Sequence, residues 1–361
     1  MSRIPPMGSP FPTGAQWTPG WPGQWPSPQP PRRGGALKWV LGAMALLAVI
    51  GLTVAVTLAV TGRGGGSSGA EATAGGGDSD IASANDTGPV SIITEDPSCA
   101  ASGPIFHMRA AVQGNGWGDR DPSIPASEWS AEVRQQYEEV ASSMRESADQ
   151  LVPIARITPH RVMRELYEQM IAYSRAYADR VETYRPEDNS LARVATTTAD
   201  VISNICNAID NGSALARAPL VSRIAPPKSV APVNDGEHPR AFLSSPNQIC
   251  AKWSSVWDEF NYDVRDWLDM DPDIPASEWS AEQKAIGDSV KPVMMRLADQ
   301  VQVLGVRSGN PILQDFAELS AQYRRAYAYA IDTYMPADEY LALVSLRIGG
   351  IISEACVVAG A

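Results

Sequence analysis

Few residues in this chain have the types and spacing to do chemistry. They are four cysteines, three histidines and one segment that occurs twice. Cys99, Cys206, Cys250 and Cys356 stand singly, with no second cysteine two to four residues away, and His107, His160 and His238 are far apart. A zinc site needs clustered ligands, so this spacing argues against metal, and no cofactor is expected. Cysteines spaced this way suit disulfides instead. Of three possible connectivities, only Cys99–Cys206 with Cys250–Cys356 leaves each half of the chain self-contained; four buried free thiols are the other reading. No Gly-x-Ser-x-Gly elbow, phosphate-cradling glycine loop or His-Glu-x-x-His pair is present. Acidic residues are numerous, yet nothing in their spacing selects a pair for hydrolysis. The sequence therefore predicts no catalytic residue and no enzyme.

The doubled segment is Asp121-Pro-Ser-Ile-Pro-Ala-Ser-Glu-Trp-Ser-Ala-Glu132, which returns as Asp271-Pro-Asp-Ile-Pro-Ala-Ser-Glu-Trp-Ser-Ala-Glu282. Two readings fit it. Glu128 with Trp129, and Glu278 with Trp279, could form a binding lip for a sugar or lipid headgroup. Alternatively each Trp is a staple that fixes the chain's entry into a long helix. The Tyr-x-Arg-Ala-Tyr-Ala segments leave a similar choice. Tyr173, Tyr177, Tyr323 and Tyr327 suit a core whose hydroxyls reach the bundle edge. Arg175 and Arg325 would clamp a ligand or pair with a carboxylate. His160, after Thr158-Pro159, suits a surface or capping role.

The elements that would position these residues follow from a repeat with an offset of 150. Ala148-Asp149-Gln150 maps onto Ala298-Asp299-Gln300, and Thr183, Tyr184, Pro186 and Asp188 map onto Thr333, Tyr334, Pro336 and Asp338. Chance does not hold one register over so many positions, and the period is too long for a solenoid. Met163, Leu166, Met170, Tyr173, Tyr177 and Val181 step by three or four, as do Ile312, Phe316, Leu319, Tyr323, Tyr327 and Ile331, so the apolar period is helical. Ser130 and Ser280 read as helix caps, and Pro186 and Pro336 as first-turn prolines. Pro153 and Gly305 read as helix stops. With leading helices near 99–113 and 247–268, the fold class is all-α. It consists of two tandem, disulfide-closed, four-helix-bundle-like domains at 96–212 and 246–361, joined by a Pro-rich linker at 213–245.

Ahead of them, residues 1–36 are a Pro-, Gly- and Trp-rich tail that reads as disordered, with polyproline character that suits a groove in a cytoplasmic partner. Residues 37–61 read as a transmembrane helix. Its uncharged run Trp39–Val60 would cover about 33 Å, enough for a hydrocarbon core of about 30 Å. Arg32, Arg33 and Lys38 on one flank outweigh Arg63 on the other, which places the N-terminus in the cytoplasm and the C-terminal part outside the plasma membrane. A cleaved secretory signal would leave the same domains secreted. Residues 62–95 read as a flexible Gly/Ser-rich spacer. All 41 acids and 24 of the 29 basic residues lie beyond residue 63, a formal balance of −17 that repels nucleic acid.

The Pro-rich tail, the span, the low-complexity spacer and the Ile-Pro-Ala-Ser-Glu-Trp-Ser-Ala-Glu domains together resemble an uncharacterised, conserved proline-rich class of mycobacterial and related actinobacterial membrane proteins. The resemblance covers the whole architecture and is most specific at 121–132, 173–186 and their second copies. It implies cell-envelope location and no catalytic residues. The expected function is a membrane-anchored, non-enzymatic binding or scaffolding module with an envelope protein or glycolipid partner, in which two linked copies raise avidity if both engage one target. The alternatives are a small-molecule sensor or carrier with pockets inside the bundles and, further off, a hydrolase of envelope substrates. The sequence does not fix the oligomeric state.

Overall fold

The structure is a computed structural model that describes residues 80–233 and 236–360. The expected tail, the span at 37–61 and residues 62–79 of the spacer lie outside the described residues. Everything described is helix, turn or loop, without strands. The helices are α1 Ser98–Gln113, α2 Ala131–Ile157, α3 Arg161–Arg180, α4 Asn189–Asp210, the short α5 Ser213–Arg217, α6 Cys250–Asp263, α7 Arg265–Leu268, α8 Ala281–Arg307, α9 Pro311–Ala330 and α10 Glu339–Val358. Copy one contributes α1 to α4 and copy two α6 to α10.

Local chemistry sets the helix ends. Ser130 Oγ accepts from the Val133 amide and Ser280 Oγ from the Gln283 amide, which caps α2 and α8. Pro186 and Pro336 each open a single tight turn before α4 and α10, where a missing amide hydrogen costs nothing. Asp188 and Asp338 then reach back to the amides of Arg185 and Met335 at 2.8 and 2.9 Å.

Pro153 and Gly305 do not stop their helices, contrary to the sequence expectation. Both lie inside, and α2 runs on to Ile157 while α8 runs on to Arg307. Each helix packs one face along its neighbour, α2 on α3 and α8 on α9, and that packing overrides the local cost of a proline or a glycine. The stop in copy one is Thr158, in extended backbone before Pro159, and in copy two Gly309 with φ of 66°. Gly305 has a different use: a Cβ there would lie 2.6 Å from that of Ala317, so its absence lets α8 and α9 approach.

Two disulfides, Cys99–Cys206 and Cys250–Cys356, tie the first helix of each copy to its last. The copies also pack on each other within one compact unit. Repeat-equivalent helices pair: α4 lies along α10, and α3 meets α9. Arg193 bonds Glu354 at 2.9 Å and Arg347 stands 3.9 Å from Asp200, so α4 and α10 run antiparallel, the pattern of an internal two-fold. Burial on both sides explains the composition of α10. Among the described residues, Pro336–Val358 is the one helix long and apolar enough to cross a membrane. Its Leu341, Val344, Ile348, Ile351 and Ile352 are all core, and Cys356 bonds α6.

Residues 80–95 differ from the flexible spacer expected there. Val90, Ile92 and Ile93 are buried, the Ile93 amide donates to the Tyr323 hydroxyl of copy two, and the Ala82 amide donates to the Arg156 carbonyl of copy one. These apolar side chains sit just after the low-complexity run and turn its end into a strap across both copies. The connector between the copies is also packed: Arg217 reaches Asp338 at 2.8 Å and Phe242 lies in the core.

Candidate functional site

The doubled segment proves to be a clamp. In copy one the Ala126 amide donates to the Tyr184 carbonyl, the Tyr184 hydroxyl to the Pro122 carbonyl, and the Trp129 indole to the Ile124 carbonyl. Copy two repeats all three bonds with Ala276, Tyr334, Pro272, Trp279 and Ile274. Trp129 and Trp279 are buried against those tyrosines, with ring centroids 5.2 and 5.5 Å apart. Glu128 and Glu278 are exposed beside the buried rings. The motif recurs because each bundle needs its α2 or α8 entry pinned to the turn that begins its last helix.

Arg175 and Arg325 take the carboxylate reading. Arg175 bonds Asp149 at 2.6 Å and the Glu237 carbonyl, and Arg325 bonds Asp299 at 2.8 Å and Gln302 at 2.7 Å. Tyr173, Tyr177, Tyr323 and Tyr327 are fully buried, and their hydroxyls do not reach an edge. The Tyr323 hydroxyl accepts from Ile93 and that of Tyr327 donates to Glu339. Desolvation accordingly pushes all four phenols up. His160 precedes α3, with Nε2 3.0 Å from the Glu95 carbonyl.

What the structure leaves open lies elsewhere, between α1 and α2 of copy one. A cleft of ≈ 510 Å³ runs along Ile105, Met108 and Val112 on one wall and Glu139, Ser142, Ser143 and Glu146 on the other. It shares Val112 and Glu139 with an adjoining hollow at Gly114 and Asn115. Met108 is 55 % exposed. Arg109 lines the cleft and is itself buried. Its Nη1 donates to Ser174 at 3.0 Å while Nε and Nη2 make no hydrogen bond, and desolvation lowers its pKa to about 10 against the pull of Asp200. In copy two the counterparts of Met108, Arg109 and Val112 are Glu259, Phe260 and Asp263. Phe260 is buried, and Asp263 pairs with Arg296, the counterpart of Glu146, at 2.7 Å across α6 and α8.

Residues 81–360 match the model of a family described as Mycobacterial ESX-1 associated protein. The chain belongs to this family. An uncharacterized protein of Mycolicibacterium smegmatis (strain MKD8) is 53 % identical over 340 residues, covering 92 % of this chain and 89 % of its own. No solved structure matches. The family match begins where the packed strap begins and covers the compact two-copy unit. The relative's longer coverage carries the likeness into the residues before 81.

A second feature was not found from sequence. At the seam between the copies of this family member, α3 carries Arg161, Arg164, Glu165 and Glu168, and α9 carries Asp315 and Glu318, all buried. Arg161 Nε bonds Asp315 at 2.6 Å, and Arg164 Nη1 bonds Glu168 at 2.7 Å. The signal was in the sequence: Glu165 and Asp315, like Glu168 and Glu318, are repeat equivalents on otherwise apolar faces.

Proposed function

We propose that this chain is a membrane-anchored, extracytoplasmic, non-enzymatic docking module. Copy one presents the α1–α2 cleft to a partner, and copy two acts as its rigid support. The observation that carries this reading is the asymmetry of the two copies: the same place is open and acid-rimmed in one and bridged by the Asp263–Arg296 ion pair in the other. An apolar floor with exposed Met108 between Glu139 and Glu146 fits a helical protein segment with an apolar stripe and basic flanks. Such an open trough suits a protein segment better than an enclosed small molecule. The family description points to a partner associated with ESX-1. Two disulfides support an oxidising compartment, as the span at 37–61 and its basic cytoplasmic flank require. The Pro-rich tail would then be free to meet a cytoplasmic partner.

The test is site-specific photocrosslinking in the native host, with the probe at Met108 and, as control, at its copy-two counterpart Glu259. The expected result is one adduct from position 108 that disappears when Glu139 and Glu146 are both changed to Lys. Equal adducts from 108 and 259, or none from 108, would remove the reading.

A further inference from the structure

Glu165 of α3 and Asp315 of α9 occupy the same place in the repeat and face each other across the internal two-fold. They are 0 % and 1 % exposed. Asp315 is well supplied with donors, since Arg161 gives it Nε at 2.6 Å and Nη2 at 3.1 Å. The other Arg161 contacts go to the Asp86 and Gly88 carbonyls of the strap. Arg164 spends Nε on Ser83 and Nη1 on Glu168, and its Nη2 stands 4.0 Å from Glu165, beyond hydrogen-bond reach. Both Glu165 oxygens are therefore buried without a donor.

Charge leads to the same place. Two guanidiniums, Arg161 and Arg164, face four buried carboxyls, Glu165, Glu168, Asp315 and Glu318, with Asp86 at the partly exposed rim of the strap. An unpaired carboxylate in this setting is costly, and either a cation or a proton would relieve it. No group of three side chains able to hold a metal ion exists among the described residues. Glu165 and Asp315 sit at equivalent places on the packed helices α3 and α9, and the charge of Asp315 bears on the Glu165 carboxyl. Two neighbouring carboxylates are both acceptors when charged, and one proton removes the repulsion between them.

We infer that Glu165 holds a proton at neutral pH beside the Arg161-paired Asp315, making a buried proton-binding site at the seam of copy one and copy two. Desolvation, and then the charge of Asp315, push the Glu165 carboxyl well above its ordinary range, against the opposing pull of Arg164 and Arg161. Desolvation also raises Glu168, opposed by Arg164, and Glu318, opposed by its bond to Gln314. The sign follows from linkage. Above the ordinary carboxyl range the unfolded chain has lost this proton while the folded chain retains it. Stability therefore falls as pH rises toward the raised value of Glu165, and an alkaline medium loosens the seam.

The test uses the full-length protein in detergent micelles, wild type against Glu165→Gln, which keeps shape and a donor but cannot ionise. At neutral pH the infrared spectrum of the wild type shows the carbonyl stretch of a protonated carboxyl, and Glu165→Gln loses that band. The thermal midpoint of the wild type falls from about pH 6 to about pH 9, while that of Glu165→Gln falls less and ends as the higher of the two. An unchanged band in the variant, or midpoints that fall in parallel, overturns the inference. Should Glu165→Gln not fold, the wild type decides alone: the band is present at neutral pH and vanishes on alkalinisation before unfolding, and its absence at neutral pH overturns the inference equally.

Discussion

The two copies share one backbone plan and fill it differently. In copy one the large ring beside α1 comes from α3: the Tyr167 hydroxyl is hydrogen-bonded with the Ser98 and Ser102 hydroxyls at 3.0 and 3.1 Å. In copy two it comes from the first helix instead, where Trp253 stands at the place of Ser102 and Ala317 at that of Tyr167. Trp253 donates its indole hydrogen to the Gly349 carbonyl, and Trp257 lies so close to Gly349 that a Cβ would meet the ring at 2.4 Å. The buried arginine has changed sides as well. Copy one takes it from α1 as Arg109 against Ser174; copy two takes it from α9 as Arg324, 5.0 Å from the Phe260 ring. Volume and charge are thus conserved per bundle while their positions move, which is the tolerance expected of close-packed cores. Beside this exchange, α1 lines a cleft with Ile105, Met108 and Val112, whereas on α6 Asp263 reaches across to Arg296.

The largest effect that sharpens this comparison comes from the disulfides. Each closes a loop of nearly the same length, with separations of 107 and 106 residues. Replacing either pair by serine is expected to cost about 4–5 kcal/mol in the chain-entropy limit. Urea unfolding of the two double variants checks it. Equal losses mean that loop closure dominates; a smaller loss in copy two means that its aromatic packing holds the ends together.

Trp253→Ser comes next, with an expected loss of about 3–5 kcal/mol from cavity formation. Adding Ala317→Tyr, which writes the copy-one solution into copy two, is expected to recover part of that loss. Failure to recover any, measured in the same urea titration, would break the claim that the two packings are interchangeable.

The arginines give the smallest and most telling difference. Desolvation lowers both to about 10, so both guanidiniums stay charged in the fold at neutral pH and weaken it there. Because the folded values are depressed, that cost is complete below about 10 and is relieved only as pH climbs from there toward the ordinary arginine value. Arg324 is compensated by Ser345 at 3.2 Å and the Ala342 carbonyl at 3.3 Å, whereas Arg109 has Ser174 alone. Arg109→Met is therefore expected to leave the thermal midpoint unchanged or raise it, and Arg324→Met to lower stability by about 1–3 kcal/mol. A drop with Arg109→Met would mean that its two unbonded nitrogens hold something the fold needs.

The seam and the cleft differ in how far the sequence reveals them. Glu165 and Asp315 stand 150 residues apart as repeat equivalents, so a search for acids conserved between copies on an apolar face would have marked them. Nothing marks Met108 or Arg109, because their copy-two counterparts are different residues and the cleft is an absence of volume. The burial of the Trp129 and Trp279 rings was illegible for a related reason. A Trp beside a Glu looks the same on paper whether its ring faces solvent or a tyrosine far along the chain, as Trp129 faces Tyr184.

By itself the sequence determined the all-helical class, the duplicated plan and the starts of the long helices at Ser130 and Ser280, because these depend on a 3.6-residue period, capping residues and a register held over 150 positions. It also singled out the cysteine pairing found in the structure, since only that pairing closes each copy on itself. Only the tertiary structure decided that the copies lock antiparallel, that residues 80–95 are a strap and not slack, that Pro153 is carried within a helix, and that two acids share the seam. Each of those outcomes turns on contacts between residues far apart in sequence. Burial there sets the energy of a proline, a carboxyl or an apolar run, and local spacing carries no record of what lies across the contact.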